Sequence, residues 1–316
     1  HHPGTPMDRR LSAALILVTV VSAGIGAAYM ARTQPQSSGK LTLVASFYPL
    51  ACMAESIGGD KVEVTTLIQP GIEPHSWQPS AGDLVACSDA DIIVYNGADL
   101  DNWLQDDVLP SIDTTGKLII DTTQNVTLWR NVQQFEIQEH GAYDPHTWVS
   151  PHEARQQAEA IYKALIQKDP SHADYYTARW TTLSTKLTTL DASYKTQLQN
   201  KTKSTIFVTH DAFGYIARRY GFQQEGIVGI SADAQPSTET LVQIITLMQQ
   251  TDTYTFYIEP GYSDIYVQTV KTELQAKTGK TIQILELYHM NGSQDSLDYI
   301  GQMEKNLQSL HEGLGS

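Results

Sequence analysis

Cysteine is nearly absent. The chain holds two, Cys52 and Cys87, and they form no C-x-x-C pair. A thiolate zinc site is excluded on count alone. An oxidising compartment would allow one disulfide between them. The other state open to them, and the expected one, is two buried thiols on helix faces. Positive charge is also scarce: 21 Lys and Arg stand against 35 Asp and Glu, a formal charge of −14. Nucleic acid needs a basic surface and is not an expected partner. No H-E-x-x-H occurs, so the helix-borne signature of zinc hydrolases is missing. Residues 171–201 contain neither glycine nor proline, which leaves nothing there to break a helix.

What is present fits a folded protein, with 41% hydrophobic and 18% charged residues over a chain of 316. That length suggests two domains or one large one. The opening "HHPGTP" reads as a tag remnant, with Met7 as the natural start. Residues 11–31 carry no charge and are long enough to span a bilayer. Arg9 and Arg10 in front of the run would stay cytoplasmic, sending the rest outside. The run is a cleaved signal or a retained anchor, and its length favours the anchor. Residues 32–40 follow as a polar tether.

Strand–helix alternation begins at 41. "KLTLVASFY", "KVEVTTLIQ", "DIIVYNG" and "KLIID" read as strands, with helices over "PLACMAESIGG" and "PSAGDLVACSDA". This alternation predicts a parallel sheet covered on both faces. At 150 a helix begins, with Ser150 as N-cap, Pro151 at the first position and Glu153 completing a capping box. Residues 171–201 predict a helix of about 30 residues, about 45 Å long. Its apolar stripe is Trp180, Leu183, Leu187 and Leu190. Alternation then resumes with strands over "STIFVTH", "YTFYIEP" and "TIQILEL". Helices are expected over "DAFGYIARRYG", "STETLVQIITLMQQ", "SDIYVQTVKTELQAKTG" and the closing "SLDYIGQMEKNLQSLHEGL". "LTLVASFYPLACMAESIGG" and "TIFVTHDAFGYIARRYG" echo one another, as two similar lobes would. The expected division is a leader and tether over 1–40, an N-terminal α/β lobe over 41–170, a connecting helix over 171–201 and a C-terminal α/β lobe over 202–316. The fold class is α/β, with two Rossmann-like lobes of parallel sheet joined by one long backbone helix.

Ten histidines are present. His75, His210 and His289 each follow a predicted strand, and carboxyl ends of strands are where ligand sites gather in open α/β sheets. His146 lies in the irregular segment "DPHTWVSP", just before the capped helix. His152, in the first turn of that helix, reads as structural or exposed, because a charged imidazole there opposes the helix dipole. His172 and His311 lie in polar helical stretches, and His140 in a loop. Neutral imidazoles from several strand ends suit zinc, copper, iron or nickel. Asp144 and Asp211, beside His146 and His210, are of the type that accepts a bond from a ligand's other ring nitrogen; capping of the following turns is the alternative.

"SFYPL", "GIEPHSWQPSAGDLVACSDADIIVYNGADLDNWL", "YDPHTWVSP", "VTHDAFGY", "GISADAQPSTETLVQII" and "LDYIGQMEKNLQSLHEGL" together resemble the zinc and manganese receptors of ABC transporters, the TroA/ZnuA-like class. The likeness covers roughly 41–316. It implies two lobes joined by a long helix, with a metal ion in the cleft between them. It also implies His75, His146 and His210 as the first three ligands. Histidine rather than carboxylate at the third position points to Zn²⁺, with Mn²⁺ as the alternative. The stretch before the second ligand, about 123–143, holds only His140, where many zinc-type members carry a His- and Asp-rich loop. The fourth ligand in the family is usually a carboxylate after the last strand. Here "LELYHMNGSQDS" places His289 there, with Glu286 and Asp295 as alternatives, and Glu259 in "YIEP" is a further carboxylate near the cleft. The expected protein is an extracytoplasmic, monomeric zinc-capture receptor that serves an ABC permease and is not an enzyme. A zinc hydrolase, a receptor for an iron chelate or haem, and an adhesin on the same scaffold are the rival readings.

Overall fold

The computed structural model describes residues 39–131 and 141–316. The hydrophobic run 11–31 and His140 lie outside these. Among the described residues, no helix is long and apolar enough to cross a membrane.

The first lobe is a four-stranded parallel sheet. Its strands are β1 (Leu41–Ala45), β2 (Val62–Thr66), β3 (Ile92–Tyr95) and β4 (Leu118–Asp121), in the order β2-β1-β3-β4. The second repeats that plan with β5 (Thr205–His210), β6 (Gln223–Val228), β7 (Thr255–Ile258) and β8 (Gln283–Glu286), in the order β6-β5-β7-β8. All pairings are parallel. The internal echo in the sequence is therefore a repeated topology. In both sheets the chain reverses direction of travel beside its first strand. That switch point leaves a crevice at the carboxyl ends of β1/β3 and of β5/β7.

Helices α1 (Tyr48–Gly58) and α2 (Ala81–Asp89) serve the first lobe. Helix α2 starts with a capping box: the Ser80 hydroxyl accepts from Asp83 N, and Asp83 accepts from Ser80 N. The box expected at Ser150 does not form. Ser150 is the N-cap of α3 (Pro151–Lys168), with Pro151 at its first position, but its hydroxyl makes no cap bond. A 3₁₀ turn over Thr147–Val149 precedes it, and Ser150 N already donates to Thr147 O. The N–H that Glu153 would have accepted is thus spent.

A turn at Pro170–His172 leads into α4 (Ala173–Gln197), 25 residues and about 37 Å long. The predicted helix is real but shorter at both ends. Tyr176, Leu183, Leu187, Leu190 and Tyr194 form its buried stripe. Trp180 is half-buried, with its ring stacked 5.5 Å from that of Tyr162. Helices α5 (Gly214–Tyr220), α6 (Thr238–Gln250), α7 (Ile265–Thr278) and α8 (Tyr299–Gly313) complete the second lobe. Strand β6 was not expected from the sequence. It is an edge strand, and "QQEGIV" shows neither strict alternation nor a buried apolar run.

One hydrophobic core runs from β1, α1 and β3 through α3 and α4 to Ile206, Phe213, Tyr288 and α8. A smaller cluster fills the outer side of the second sheet, around Phe207, Ile244, Met248, Val267 and Leu274. Both cysteines are free thiols, Cys52 half-buried on α1 and Cys87 buried on α2. Burial pushes them up to about 12 and about 11, so neither is a reactive thiolate at neutral pH.

Asp191 ties α4 to α5. Arg219 grips it with two bonds, Nε to Oδ1 at 2.6 Å and Nη2 to Oδ2 at 2.8 Å. Tyr220 Oη and Lys195 Nζ each add one at 2.9 Å. Burial alone would raise this carboxyl, but these four donors hold it well below the usual range. Asp191→Asn is expected to lower unfolding free energy by about 3 kcal/mol, since an Arg219 charge is left partly buried and unpaired. A depressed folded pKa stabilises above the unfolded value of about 3.9 and is lost as pH falls below it. The deficit of the variant in urea titrations is therefore full at pH 7 and shrinks below about pH 4. An equal deficit at both pH values would refute the ion-pair origin.

Candidate metal centre

The second lobe supplies two histidines through its strand ends. His210 is the last residue of β5, and Glu259 follows β7 directly. The two strands pair with Phe207 opposite Phe256 and Val208 opposite Tyr257. The same register carries His210 opposite Glu259, two steps beyond the ladder. Neighbouring strands lie about 4.8 Å apart, so a short side-chain bond is the natural outcome. His210 Nδ1 lies 2.6 Å from Glu259 Oε1, and Thr209 Oγ1 donates to the same oxygen. His289, three residues past β8, places Nδ1 2.7 Å from Glu259 Oε2. That oxygen has no aligned hydrogen-bond donor, so the second contact rests on distance and charge. One carboxylate, 2% exposed, thus faces two imidazoles.

The first lobe supplies the other two. His146 precedes the turn at Thr147–Val149 and is buried. Its Nδ1 lies 2.9 Å from Asp144 Oδ1, which also accepts from His146 N at 3.0 Å. A buried polar network holds this segment to the ends of β3 and β4. Asn96 Nδ2 donates to Pro145 O at 3.0 Å. Gln157 Nε2 donates to Asn96 Oδ1 and Thr122 Oγ1, and its Oε1 accepts from Thr147, all at 2.9 Å. From the other lobe, Tyr215 Oη donates to Asp144 O at 2.7 Å. In the opposite direction, Trp148 Nε1 donates to His289 O at 2.7 Å.

His75 sits in the long turn after β2, not at the strand end itself. This strap is docked to the second lobe. Gly71 N donates to Asn291 O at 3.1 Å, and Tyr262 Oη lies within hydrogen-bond reach of Glu73 Oε2, 3.2 Å away. A Cβ on Gly292 would stand 2.9 Å from Gly71 N, so only glycine permits this approach.

The four imidazoles meet in a file. Ring centroids are 5.2 Å apart for His75 and His146, 5.4 Å for His146 and His210, and 5.2 Å for His210 and His289. His75 Nε2 and His146 Nε2 are 3.3 Å apart. Among the described residues, no group of three or more His, Cys, Asp or Glu side chains stands in an arrangement that could hold a metal ion as placed. His289 Nε2 is turned to the Tyr262 hydroxyl, 3.3 Å away.

Burial holds His146 below its usual pKa, outweighing Asp144. Burial also works against a charge on His210, but Glu259 beside it outweighs that and raises its pKa. Glu259 itself is driven far down: burial opposes ionisation, and His210 and His289 overcome it.

Asp144 thus holds a ring nitrogen as the sequence suggested. Asp211 is not the partner of His210 Nδ1; that place belongs to Glu259, while Asp211 N donates to Gly229 O. Glu286 and Asp295 are exposed, 3.2 and 2.7 Å from the Tyr288 hydroxyl. His152 is half-buried in the first turn of α3. Glu73, Tyr262 and Asn291 were not foreseen. The carboxylate in "EPH", two residues before His75, was the one available sign of Glu73.

The model of the family described as zinc-uptake complex component A, periplasmic, matches residues 43–313. The chain belongs to this family. It is an extracytoplasmic metal-binding receptor, a binding protein and not an enzyme, of the kind that serves an ABC permease. The high-affinity zinc uptake system protein ZnuA of Bacillus subtilis is 29% identical over 286 residues, covering 87% of this chain and 88% of the relative. The laminin-binding protein Lmb of Streptococcus agalactiae is described as bifunctional, with adhesin and metal-transporting activity. Its structure superposes with a TM-score of 0.77 at 28% identity, covering 87% of this chain and 100% of that one. The Zn(II)-bound ZnuA-like domain of AdcA from Streptococcus pneumoniae gives a TM-score of 0.73 at 28% identity, covering 88% and 100%. The chain spans 57% of full-length AdcA.

Proposed function

We propose that His75, His146, His210 and His289 take one Zn²⁺ between the lobes through their Nε2 atoms, and that the receptor hands the ion to its permease. The observation that carries this is the His75–His146 separation. Two ligands of a tetrahedral ion with bonds of about 2.0–2.1 Å stand about 3.3–3.4 Å apart. The two Nε2 atoms are 3.3 Å apart. Contacts at Nδ1 support the same assignment, since Asp144 and Glu259 take Nδ1 on three of the rings and leave Nε2 as the nitrogen to offer an ion. Nitrogen-rich donors favour zinc over manganese, which prefers carboxylate and water. The ZnuA and AdcA relatives are named for zinc. Residues 11–31 are read as delivering the protein outside the membrane and holding it there.

Calorimetric titration of metal-free protein tests this reading. One tight Zn²⁺ per chain and weaker Mn²⁺ are expected. Tighter Mn²⁺, or no Zn²⁺ uptake, would overturn it.

The pH dependence has two opposite signs. A proton on His210 excludes the metal, and its folded pKa lies above about 6.5. Zinc affinity should therefore fall already as pH drops from 8 toward 6.5. The raised pKa stabilises the metal-free fold below about 6.5, and that contribution is lost as pH rises through the folded value. Thermal melts from pH 6 to 8 should show the zinc-induced gain growing with pH. A gain independent of pH would count against His210 as a ligand.

A further inference from the structure

His289 has one nitrogen to offer an ion, because Nδ1 is held against Glu259 Oε2 at 2.7 Å. The remaining nitrogen, Nε2, lies 3.3 Å from Tyr262 Oη. That hydroxyl is fixed in place. Asn291 Nδ2 donates to it at 2.8 Å, and Glu73 Oε2 lies 3.2 Å away. The turn carrying Tyr262 is closed by Tyr262 N donating to Glu259 O at 3.1 Å, and Gly261 in it has φ 91°. The phenol ring stands 5.0 Å from the His289 ring at 62°. The other end of the file differs: His75 and His146 already hold their Nε2 atoms one tetrahedron edge apart. A phenol has a single proton to give, so it serves His289 Nε2 or Glu73 at any moment and not both.

We propose, on the basis of the zinc assignment of the four histidines, that the Tyr262 hydroxyl occupies His289 Nε2 in the metal-free protein and competes with the ion for it. Tyr262 is a positioning residue, and His289 is the last ligand to join the ion and the first to leave. When the ion takes Nε2, the phenol proton turns to Glu73 Oε2. When the ion leaves, the proton turns back and the hydroxyl reclaims the nitrogen. The phenol stays protonated throughout. The strap that carries His75 stays docked through Gly71 and Asn291 in both states.

Stopped-flow transfer of zinc from the loaded protein to a chromogenic chelator tests this. Tyr262→Phe is expected to slow release about five-fold, the weight of one ordinary hydrogen bond, with association unchanged. In a His289→Ala background the same substitution should leave the release rate unaltered, because the hydroxyl then has nothing to compete for. ¹⁵N spectra of the metal-free protein should show the His289 Nε2 resonance moving in Tyr262→Phe. Release at the wild-type rate, or faster, would overturn the proposal. So would a slowing that survives in His289→Ala, since the hydroxyl would then act through Glu73 and the strap. Wild-type protein that takes up no zinc in the same assay would sink the reading of the site instead, while the ¹⁵N shift would still report the hydroxyl–imidazole contact.

Discussion

His146→Ala is expected to weaken zinc binding by more than about 100-fold. Loss of an outer partner of a metal ligand already costs roughly 10–100-fold, and this change removes a proposed ligand itself. His146 suits the part because burial keeps its imidazole neutral and Asp144 directs Nε2 toward His75. The fold should survive. Asp144 keeps its bond from the backbone N–H of residue 146, and the Asn96–Gln157–Thr147 network contacts the segment without using the imidazole. Competition titration against a fluorescent zinc chelator measures the change. Circular dichroism and a metal-free melt confirm that the variant is folded. His152→Ala is the control and should bind as wild type does. An unaltered affinity in His146→Ala would remove this residue from the site.

Glu259→Gln should cost about 10–100-fold in zinc affinity, the range for groups that orient a ligand from behind. The amide has one acceptor oxygen where the carboxylate has two, so one of the two imidazoles must meet an N–H₂ group. That ring loses its tautomer preference or rotates away. The substitution also removes the charge that raises His210, so the folded pKa of His210 should fall. Residual affinity would then be flatter between pH 6.5 and 8 than in wild type, and its decline should move to lower pH. Titrations at three pH values separate the two effects. Weaker binding with an unchanged pH profile would show that Glu259 orients the rings without setting the charge on His210. Wild-type affinity and profile together would exclude both roles.

Both sheets were legible because their central strands are short apolar runs bounded by turn residues, as in "IIVY" and "TFYI". Edge strand β6 was not, since half its surroundings are solvent and its sequence carries little periodicity. Helix α4 showed through its stripe, but its ends are set by Pro170 and by docking of Leu198, which periodicity does not report. The histidines stood out as single residues beside strand ends. Their partners did not, because neighbouring residues are poor guides to contacts closed by sheet register. Asp211 is adjacent to His210 in sequence, yet Glu259, 49 positions away, is the group on its ring. Tyr262 and Asn291 had no local signature at all, since the strap they grip comes from the other lobe.

The apolar interior passes without a break from one sheet, through α3 and α4, to the other. Opening the protein wide would expose that interior to water. Scattering curves of loaded and empty receptor should therefore be nearly superimposable. A transporter that must tell the two forms apart would have to read them by local contact, because the outline of the molecule carries almost no message.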